Sequence, residues 1–490
     1  MSQTLFTAIT LTHSTERPVY LQLADEMLDL IRSGKLKSGQ KLPSSRKIAE
    51  TLNINRVTVT KALEELQLQG WIESYVGKGT FVSFHIPELS PTKLETQNNK
   101  QPLKQSGFEI RSNNYLNNPY FISSVPLHLD DGYPDPKLAP LKELYRAYRS
   151  QLIRESSLYS KFGAYSQPDG SMYYREALSK YLNNTRGLKT TPDNILSVRG
   201  TLMGLNLVCN ALIQPGDVIV SGVPGWQRAE HNFLHSKAKH IGISVDEFGI
   251  VVDELRAICN KTKVRMVYVT PHHHYPTTVS LRIDRRLELL NLANEFGFII
   301  FEDDYDFTFH YNNSPLLPLA SADENGMVIY CGSFSKSFSP AFRMGYIVAS
   351  ENVIKHLANI RMLLDRQGDH ILDNAMAELL NEGTISRYLR RTLSIYKKRR
   401  DFFCELLESE LKPHIKFKIP DGGMTVWTEF DKSVNLPELS KKAYQEGLYI
   451  SDGILHNSST YNKNAIRLGF ASSTESELSQ SVEIMQNLIG

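Results

Sequence analysis

Two stretches of the sequence, 298–306 and 327–345, limit the fold most strongly. The first, FIIFEDDYD, begins as an apolar run and ends in carboxylates and a tyrosine. That pattern is typical of a buried parallel strand that ends at a ligand site. The second begins with another short apolar strand over 327–331 and continues as GSFSK, followed by Arg343. Together they predict neighbouring strands of an α/β fold whose ends meet at one site.

The residue types at these strand ends favour a phosphate-bearing aldehyde as ligand. Hydroxyls, backbone N–H groups and Arg343 are suited to a phosphate, and Lys336 can form a Schiff base with an aldehyde. An Asp on the neighbouring strand suits a pyridinium nitrogen, and the nearby Tyr305 suits a phenolic ring oxygen. A Ser-x-Ser-Lys turn alone is most often a solvated loop, but the combination predicts a pyridoxal phosphate site.

Bulk composition sets few further limits. The 490 residues suffice for two or three domains, and a formal net charge of +2 gives no whole-protein field that favours nucleic acid. The four cysteines form no CxxC pair, which favours reduced thiols over disulfides or a zinc site. Because the sequence shows neither a signal peptide nor an apolar run of membrane-spanning length, we expect a soluble cytoplasmic protein without a membrane partner.

The N-terminal region has the pattern of a winged helix-turn-helix. Apolar spacing predicts helices over 18–31, 45–52 and 57–68, and alternation predicts strands over 71–75 and 80–84 around a Gly-Lys-Gly turn. Residues 32–61 contain eight lysines and arginines against Glu50 alone, a local charge of +7 (8 − 1). Such a cluster suits a DNA backbone; a helical hairpin with a solvated basic face is the alternative.

Composition then changes twice along the chain. Pro, Asn, Gln, Ser and Lys dominate the next 40 residues, with little periodicity, whereas strands and helices alternate from Val125 onward. We therefore predict a winged helix-turn-helix DNA-binding domain over 12–84, a flexible linker over 85–124 and an α/β effector domain over 125–490. That last domain should have a mostly parallel sheet and a smaller C-terminal subdomain.

The N-terminal segments PVYLQLADEM, GQKLPSSRKIAETL, NRVTVTKALEEL, GWIES and GKGTFV resemble the GntR family of bacterial regulators across 18–82. The resemblance implies binding to a double-stranded DNA operator. Lys78, at the wing tip, would reach the minor groove or a phosphate. The residues placed at or near the major groove are Ser45, Arg46, Arg56, Thr58, Thr60 and Lys61.

The stretches around Asp303 and Lys336 resemble fold type I aminotransferases, and the whole chain is similar to MocR (GabR-like) regulators. The resemblance implies pyridoxal phosphate joined to Lys336, with Asp303 at the pyridinium nitrogen and Tyr305 at the ring oxygen. It also implies a homodimer, head-to-tail and domain-swapped. The other cofactor residues it implies are Trp226 and His273 at the ring, Thr201, Leu202, Ser333, Ser335 and Arg343 at the phosphate, and Tyr165 reaching the phosphate across the dimer interface.

An effector pocket follows from the same resemblance. Arg467, in AIRLGFA, aligns with an arginine that clamps a substrate α-carboxylate, and Arg228 lies beside Trp226. The chain departs from the family pattern at four positions, which leaves the identity of the ligand open. Trp226 stands where a tyrosine is usual, Leu202 where a polar residue is common, His274 where glutamine is usual and Thr278 where glycine is usual.

Two further patterns have structural explanations that we prefer. His272, His273 and His274 invite a metal site, but adjacent side chains on an extended segment point in opposite directions, so we predict no metal. The basic run RYLRRTLSIYKKRR over 387–400 is either a second DNA contact or, more commonly, the solvated face of a helix.

Three functions remain compatible with the sequence. The first is a ligand-sensing transcription factor in which an amine or amino acid binds at the cofactor and changes DNA binding. The second is an active pyridoxal-phosphate-dependent aminotransferase with a DNA-binding arm, since Lys336 and Arg467 are both present. The third is a sensor of the vitamer itself.

Overall fold

A computed structural model of the chain describes residues 6, 9, 11, 17–85, 104–110, 112–116, 123–129, 132–157, 166–311, 316–457 and 461–490. The chain divides into two compact units, Met1–Ile110 and Arg111–Gly490. Much of the predicted linker over 85–124 lies outside the described residues, so the three domain boundaries stay predictions.

The N-terminal unit is a winged helix-turn-helix, as predicted. Ser44 caps the second helix by accepting a hydrogen bond from the Lys47 N–H, and Asn55 caps the third by accepting one from the Val57 N–H. Asn53 ends the second helix in the left-handed conformation, which Asn tolerates well. The elements are α1 (Val19–Arg32), α2 (Ser45–Leu52), α3 (Arg56–Leu68), β1 (Ile72–Tyr75) and β2 (Gly79–Val82).

A separate apolar core holds these elements together. Leu23 and Met27 of α1 face Val59 and Leu66 of α3, and all four side chains are buried. Strands β1 and β2 form an antiparallel hairpin whose inner residue Val82 joins the same core. The spacing of these apolar residues along each helix is what made the helices predictable.

The C-terminal unit is built on a mostly parallel sheet. Within the described residues it has eight strands in the order β4-β11-β10-β9-β8-β5-β6-β7, with β10-β9-β8-β5-β6 parallel. The antiparallel pairings lie at its two sides. The strands are β4 (Ile195–Val198), β5 (Val218–Val223), β6 (Lys239–Asp246), β7 (Gly249–Ile250), β8 (Val264–Val269), β9 (Ile299–Asp304), β10 (Val328–Ser333) and β11 (Gly345–Val348).

Helices cover both faces of this sheet, because its strands are apolar on both sides. No helix in the described ranges is long and apolar enough to cross a membrane. The helices are α4 (Leu141–Ser157), α5 (Met172–Arg186), α6 (Thr201–Leu212), α7 (Gln227–His235), α8 (Val252–Cys259), α9 (Ile283–Phe296), α10 (Leu319–Ala322), α11 (Phe334–Ser337), α12 (Glu351–Leu364), α13 (His370–Asn381) and α14 (Thr384–Glu410).

A smaller subdomain follows α14, as the sequence predicted. Its antiparallel sheet has the order β12-β13-β15. A short strand near the start of the unit, β3 (Leu127–His128), pairs in parallel with β14. The elements are β12 (Ile415–Phe417), β13 (Thr425–Phe430), α15 (Leu436–Gln445), β14 (Leu448–Tyr449), β15 (Ala465–Gly469) and α16 (Glu475–Ile489).

The basic run over 387–400 lies in α14, and its last two arginines bind within the protein. Arg399 donates to the Asp135 carboxylate (2.9 Å), and the buried Arg400 donates to the Pro420 carbonyl oxygen (2.8 Å). These contacts fix α14 to flanking segments and favour the structural interpretation of the run over a second DNA contact.

We expect Leu66→Ala to destabilise the N-terminal unit selectively. Leu66 is 1% exposed, so truncation should cost about 2–5 kcal/mol in its free energy of unfolding. Calorimetry of the full chain should show one transition lowered and the transition of Arg111–Gly490 unchanged. Leu68→Ala, on the same helix at 85% exposure, is the matched control and should leave both in place. Equal lowering of both transitions would show that the units do not unfold separately.

Candidate functional site

The predicted site lies at the carboxyl edge of the parallel sheet. Strands β9 and β10 pair in parallel, with Asp303 opposite Cys331 and Asp304 opposite Gly332. Strand β10 ends at Ser333, and the short helix α11, which carries Lys336, begins at the next residue. Parallel pairing therefore brings the acidic strand end and the lysine to one edge, as the sequence predicted.

The three carboxylates that end β9 have different partners because successive side chains alternate between the two faces of the sheet. Glu302 accepts hydrogen bonds from the N–H groups of Leu319 (2.8 Å) and Ala320 (2.9 Å) in α10. Asp304, on the same face, accepts a hydrogen bond from the Tyr330 hydroxyl. Asp303 is therefore the only one of these three carboxylates on the opposite face.

Asp303 is buried and only partly hydrogen-bonded. The Tyr268 hydroxyl donates to its Oδ2 (2.7 Å), whereas its Oδ1 accepts no hydrogen bond from the described residues. Burial raises the pKa of Asp303 to about 7, against the opposing influence of the Tyr268 hydrogen bond. A carboxylate in this environment is stabilised by any cationic or N–H donor that faces Oδ1.

The Lys336 ammonium lies against the segment that enters the unit. Its Nζ donates to the Gly132 carbonyl oxygen (2.6 Å) and lies 4.7 Å from the centre of the Tyr133 ring. These two contacts hold the lysine over a chain segment some two hundred residues earlier in the sequence.

A cradle with anion-binding groups adjoins the lysine. Arg343 donates from Nη1 to the Ser335 hydroxyl (3.1 Å) and from Nη2 to the Arg199 carbonyl oxygen (3.1 Å), and its backbone is left-handed (φ 51°). Gly200 has a left-handed φ of +78°, which favours glycine, and a Cβ there would lie 2.6 Å from Arg343 Nη2 and require the arginine to shift. Thr201 and Leu202 open helix α6 here, and Ser333 accepts a hydrogen bond from the Ser335 N–H (3.1 Å). Thr201, Leu202, Ser333 and Ser335 thus lie around Arg343 or at the helix start beside it.

Tyr305 also contacts His273, but through the His273 backbone. The Tyr305 hydroxyl donates to the His273 carbonyl oxygen (2.8 Å). The His273 side chain points elsewhere: its Nδ1 is 2.9 Å from Asp306 Oδ1, and its ring lies 4.6 Å from that of His310.

The expectation of an extended segment over 272–274 is wrong. The chain bends there, and the rings of His272 and His273 both lie near His310. Burial lowers the pKa of His274 to about 4 and that of His272 well below its usual range, so both are neutral at pH 7. No group of His, Cys, Asp and Glu side chains in the described ranges is arranged to hold a metal ion.

Arg467 joins the small subdomain to the sheet edge. It lies on β15 opposite Trp427, is 5% exposed and donates to the Pro276 carbonyl oxygen (3.0 Å). Its guanidinium lies 4.6 Å from the centre of the Tyr275 ring. Arg467 thus contacts the segment that follows β8, on the side where a ligand carboxylate is expected.

The remaining predicted ligand residues are less closely placed. Trp226 is half-buried at the start of α7, and Arg228 is exposed in the first turn of that helix. Tyr165 lies outside the described residues.

The predicted DNA contacts cluster on α2, α3 and the wing. Arg46, Arg56, Thr60 and Lys61 are exposed, whereas Ser45 and Thr58 are half-buried. Arg56 Nε lies 3.4 Å from the Ser45 hydroxyl, which joins the two helices of the motif. Lys78 is exposed in the turn between β1 and β2. In the described part of the chain, none of these four cations forms an ion pair within the protein.

Comparison with known proteins agrees with this geometry. The family model of aminotransferases of class I and II matches residues 133–485. The chain belongs to that family. The model of the bacterial regulatory proteins of the gntR family matches residues 19–82, so the same chain carries a GntR helix-turn-helix domain.

Curated relatives align with this chain along nearly their whole length. The uncharacterized HTH-type transcriptional regulator YdfD of Bacillus subtilis is 29% identical over 95% of each chain. The probable rhizopine catabolism regulatory protein MocR of Rhizobium meliloti is 26% identical over 90% of this chain and 88% of its own. The predicted similarity to MocR regulators is confirmed.

Solved aminotransferases share the fold of the C-terminal unit. The kynurenine aminotransferase of Pyrococcus horikoshii superposes with a TM-score of 0.68 at 27% identity, over 75% of this chain and 91% of that one. The multiple substrate aminotransferase of Thermococcus profundus gives 0.69 at 25% identity, over 75% and 92%. The predicted fold type I architecture is confirmed.

The residues present fit pyridoxal phosphate, the cofactor of this enzyme class. The unsatisfied Asp303 Oδ1 is suited to a pyridinium N–H, and the Arg343 guanidinium beside the Ser335 hydroxyl and the start of α6 is suited to a phosphate. Lys336 supplies the primary amine.

Sequence reasoning missed three partners of the site residues: Tyr268, Gly132 and Tyr133. For Tyr268 a signal existed, since a tyrosine inside a buried apolar strand must find a hydrogen-bond partner for its hydroxyl. Nothing in the sequence pointed to the contact of Lys336 with 132–133.

We expect Asp303→Asn to stabilise the cofactor-free protein while weakening cofactor binding. The raised pKa means that ionisation of Asp303 costs stability, and the cost grows as the pH rises from about 4 to about 7. In the variant, the Tm without cofactor should therefore rise by roughly 2–4 °C at pH 8 and by less at pH 5. Added pyridoxal phosphate should raise the Tm of the unmodified protein more than that of the variant. An unchanged cofactor affinity in the variant would show that Asp303 does not face the pyridinium nitrogen.

Proposed function

We propose that this protein is a DNA-binding transcriptional regulator whose aminotransferase-like domain binds pyridoxal phosphate and responds there to a small amine or amino acid. The two family matches support the two halves of the proposal. The observation that carries the cofactor is the buried Asp303, whose Oδ1 has no hydrogen-bond partner in the described part of the chain.

Pyridoxal phosphate, when bound, supplies an aldehyde carbon that reacts reversibly with primary amines. Asp303 would hold the ring through its pyridinium N–H, and Tyr305 would donate to the ring oxygen. Trp226 would flank the ring, whereas the His273 side chain points to Asp306 and His310 and would adjoin the ring only through its backbone. The phosphate would be bound by Arg343, the hydroxyls of Ser333, Ser335 and Thr201 and the N–H of Leu202, in a cradle whose parts already contact one another.

The effector would be an amine with a carboxylate. The Arg467 guanidinium is buried and donates to a backbone carbonyl oxygen, a neutral acceptor that a carboxylate outcompetes because a charge-assisted bidentate pair is stronger. Arg228 would add charge at the mouth of the site. Since Arg467 belongs to the small subdomain, its pairing with a ligand would draw that subdomain toward the sheet edge.

DNA would be bound by the N-terminal unit, in a homodimer with head-to-tail exchange of domains. The N-terminal end of α3 carries Arg56, Thr58, Thr60 and Lys61, with Ser45 and Arg46 beside it on α2 and Lys78 on the wing. A second copy is supported by exposed apolar side chains at helical spacing on α4: Leu141 is 46% exposed, Tyr145 68% and Leu152 36%. The cytoplasm is the expected location.

Aminotransferase turnover is the second candidate, since both Lys336 and Arg467 are in place. Titration of the purified, cofactor-loaded protein with a panel of amines and amino acids separates the two. A stable shift of the visible absorption, together with a changed DNA affinity, supports the sensor. Conversion of the cofactor to its amine form, reversed by a keto acid, supports the enzyme. No response to any amine would favour sensing of the vitamer itself.

We expect Arg467→Ala to weaken the response to carboxylate-bearing amines in this titration by roughly 10- to 100-fold, the factor that a hydrogen-bonded charge supplies. Amines of equal length without a carboxylate should bind as before, and the cofactor spectrum should stay unchanged. Arg467→Lys keeps the charge but not the bidentate geometry, so its effect should be intermediate. Lys336→Ala is the control that should lack the starting spectrum. Equal losses for both kinds of amine would exclude Arg467 as the carboxylate partner.

We expect Arg56→Ala to cost about 1–3 kcal/mol in binding to double-stranded DNA selected by the protein from random sequence. Lys78→Ala should weaken binding to all sequences alike. It should also reduce the slope of log affinity against log salt concentration by about one, the contribution of one phosphate contact. Lys355→Ala removes an exposed charge from α12 in the other unit and is the matched control. Neither DNA variant should change the cofactor spectrum. Unchanged affinity in both would remove the N-terminal unit as the DNA-binding surface.

A further inference from the structure

A short segment ahead of the aminotransferase fold contacts helix α7. The Tyr115 ring lies 5.8 Å from that of His231 and 6.3 Å from that of His235. Its hydroxyl is 3.3 Å from His235 Nδ1 and accepts a hydrogen bond from the Asn113 side chain (3.1 Å). Tyr115 therefore joins residues 112–116 to α7.

Helix α7 leads from this contact to the cofactor site by two routes. It begins directly after Trp226, the residue expected at the cofactor ring. Near its other end, the buried Phe233 packs edge-on against Tyr268, with ring centres 5.9 Å apart. The Tyr268 hydroxyl donates to Asp303 (2.7 Å), so an unbroken set of contacts joins the carboxylate to α7.

These contacts can transmit a displacement from Asp303 to α7 because Tyr268 and Phe233 are closely packed. Phe233 and Tyr268 are 0% and 5% exposed, so a change in the Tyr268 hydrogen bond must be absorbed by neighbouring side chains or by α7 itself. His231 and His235 lie on the more exposed side of the helix, where a small shift changes the contact with Tyr115 without disturbing the core.

We propose that Tyr115 is a positioning residue that couples the cofactor site to the chain leading to the DNA-binding unit. The proposal rests on the proposed function, since it requires a cofactor at Asp303. Occupancy there adds a donor at Asp303 and a ring at Trp226, which fixes α7 near both ends. Fixing α7 strengthens the docking of Tyr115 and so restricts residues 112–116 and the chain that precedes them.

The strength of the contact suits a switch rather than a fold-stabilising role. Tyr115 is only half-buried, and its two ring contacts and one hydrogen bond to α7 together give about a tenfold preference for the docked state. A preference of that size is readily changed by ligand binding, whereas a structural anchor needs deeper burial.

Hydrogen–deuterium exchange on the full-length protein, with and without added pyridoxal phosphate, tests the coupling. In the unmodified protein, the cofactor should slow exchange about two- to tenfold both in α7 and in residues 112–116. In Tyr115→Ala the slowing should persist in α7 and be lost in 112–116. Tyr115→Phe keeps the ring contacts and should retain most of the effect. Phe108→Ala, at a 77% exposed aromatic residue in the same part of the chain, is the control and should behave as the unmodified protein.

Each result has a distinct meaning. Slowing in α7 but not in 112–116 of the unmodified protein, or equal slowing of 112–116 in Tyr115→Ala, overturns the coupling and leaves the proposed function intact. An absence of any visible absorption change and of any slowing in β9 would show that pyridoxal phosphate does not bind, which overturns the proposed function and the coupling together.

Discussion

The parallel pairing of β8, β9 and β10 is the constraint on which the site depends. It brings three strand ends to one edge and sets the register in which Asp303 lies opposite Cys331 and Phe301 lies opposite Tyr268. Because side chains alternate, Tyr268 and Asp303 share one face while Glu302 and Asp304 occupy the other. A slip of one residue would exchange the faces and turn Asp303 away from Tyr268.

The carboxylates on the two faces of the sheet differ in how fully they are hydrogen-bonded. On one, Glu302 is satisfied by two backbone N–H groups of α10, so its carboxylate serves the fold. On the other, Asp303 keeps an unsatisfied oxygen, which costs stability in the absence of a ligand. The left-handed backbone of Arg343 beside Gly200 adds local strain at the same edge. Such unfavourable features concentrated at one place are typical of a binding site.

The unit that would sense a ligand and the unit that would bind DNA are separate compact bodies. Regulation then requires that a change at the sheet edge alters the chain between them. Arg467 connects the small subdomain to that edge, and α7 connects the edge to Tyr115. Each connection consists of contacts between only a few side chains. Modest differences in ligand binding energy therefore suffice to change whether those contacts form.

The sequence by itself determined the elements whose signals are local. Apolar spacing and caps gave α1 to α3, and apolar runs followed by polar turns gave β9, β10 and the lysine turn, because these patterns involve residues within a few positions of one another. Spacing did not say which acidic residue of β9 would face a ligand; the family resemblance pointed to Asp303. Only the tertiary structure decided that Lys336 lies on Gly132, that Tyr268 supports Asp303, that Arg467 reaches Pro276 and that Tyr115 lies on α7. Those contacts join residues dozens to hundreds of positions apart, and packing of the whole unit, rather than any local preference, sets them.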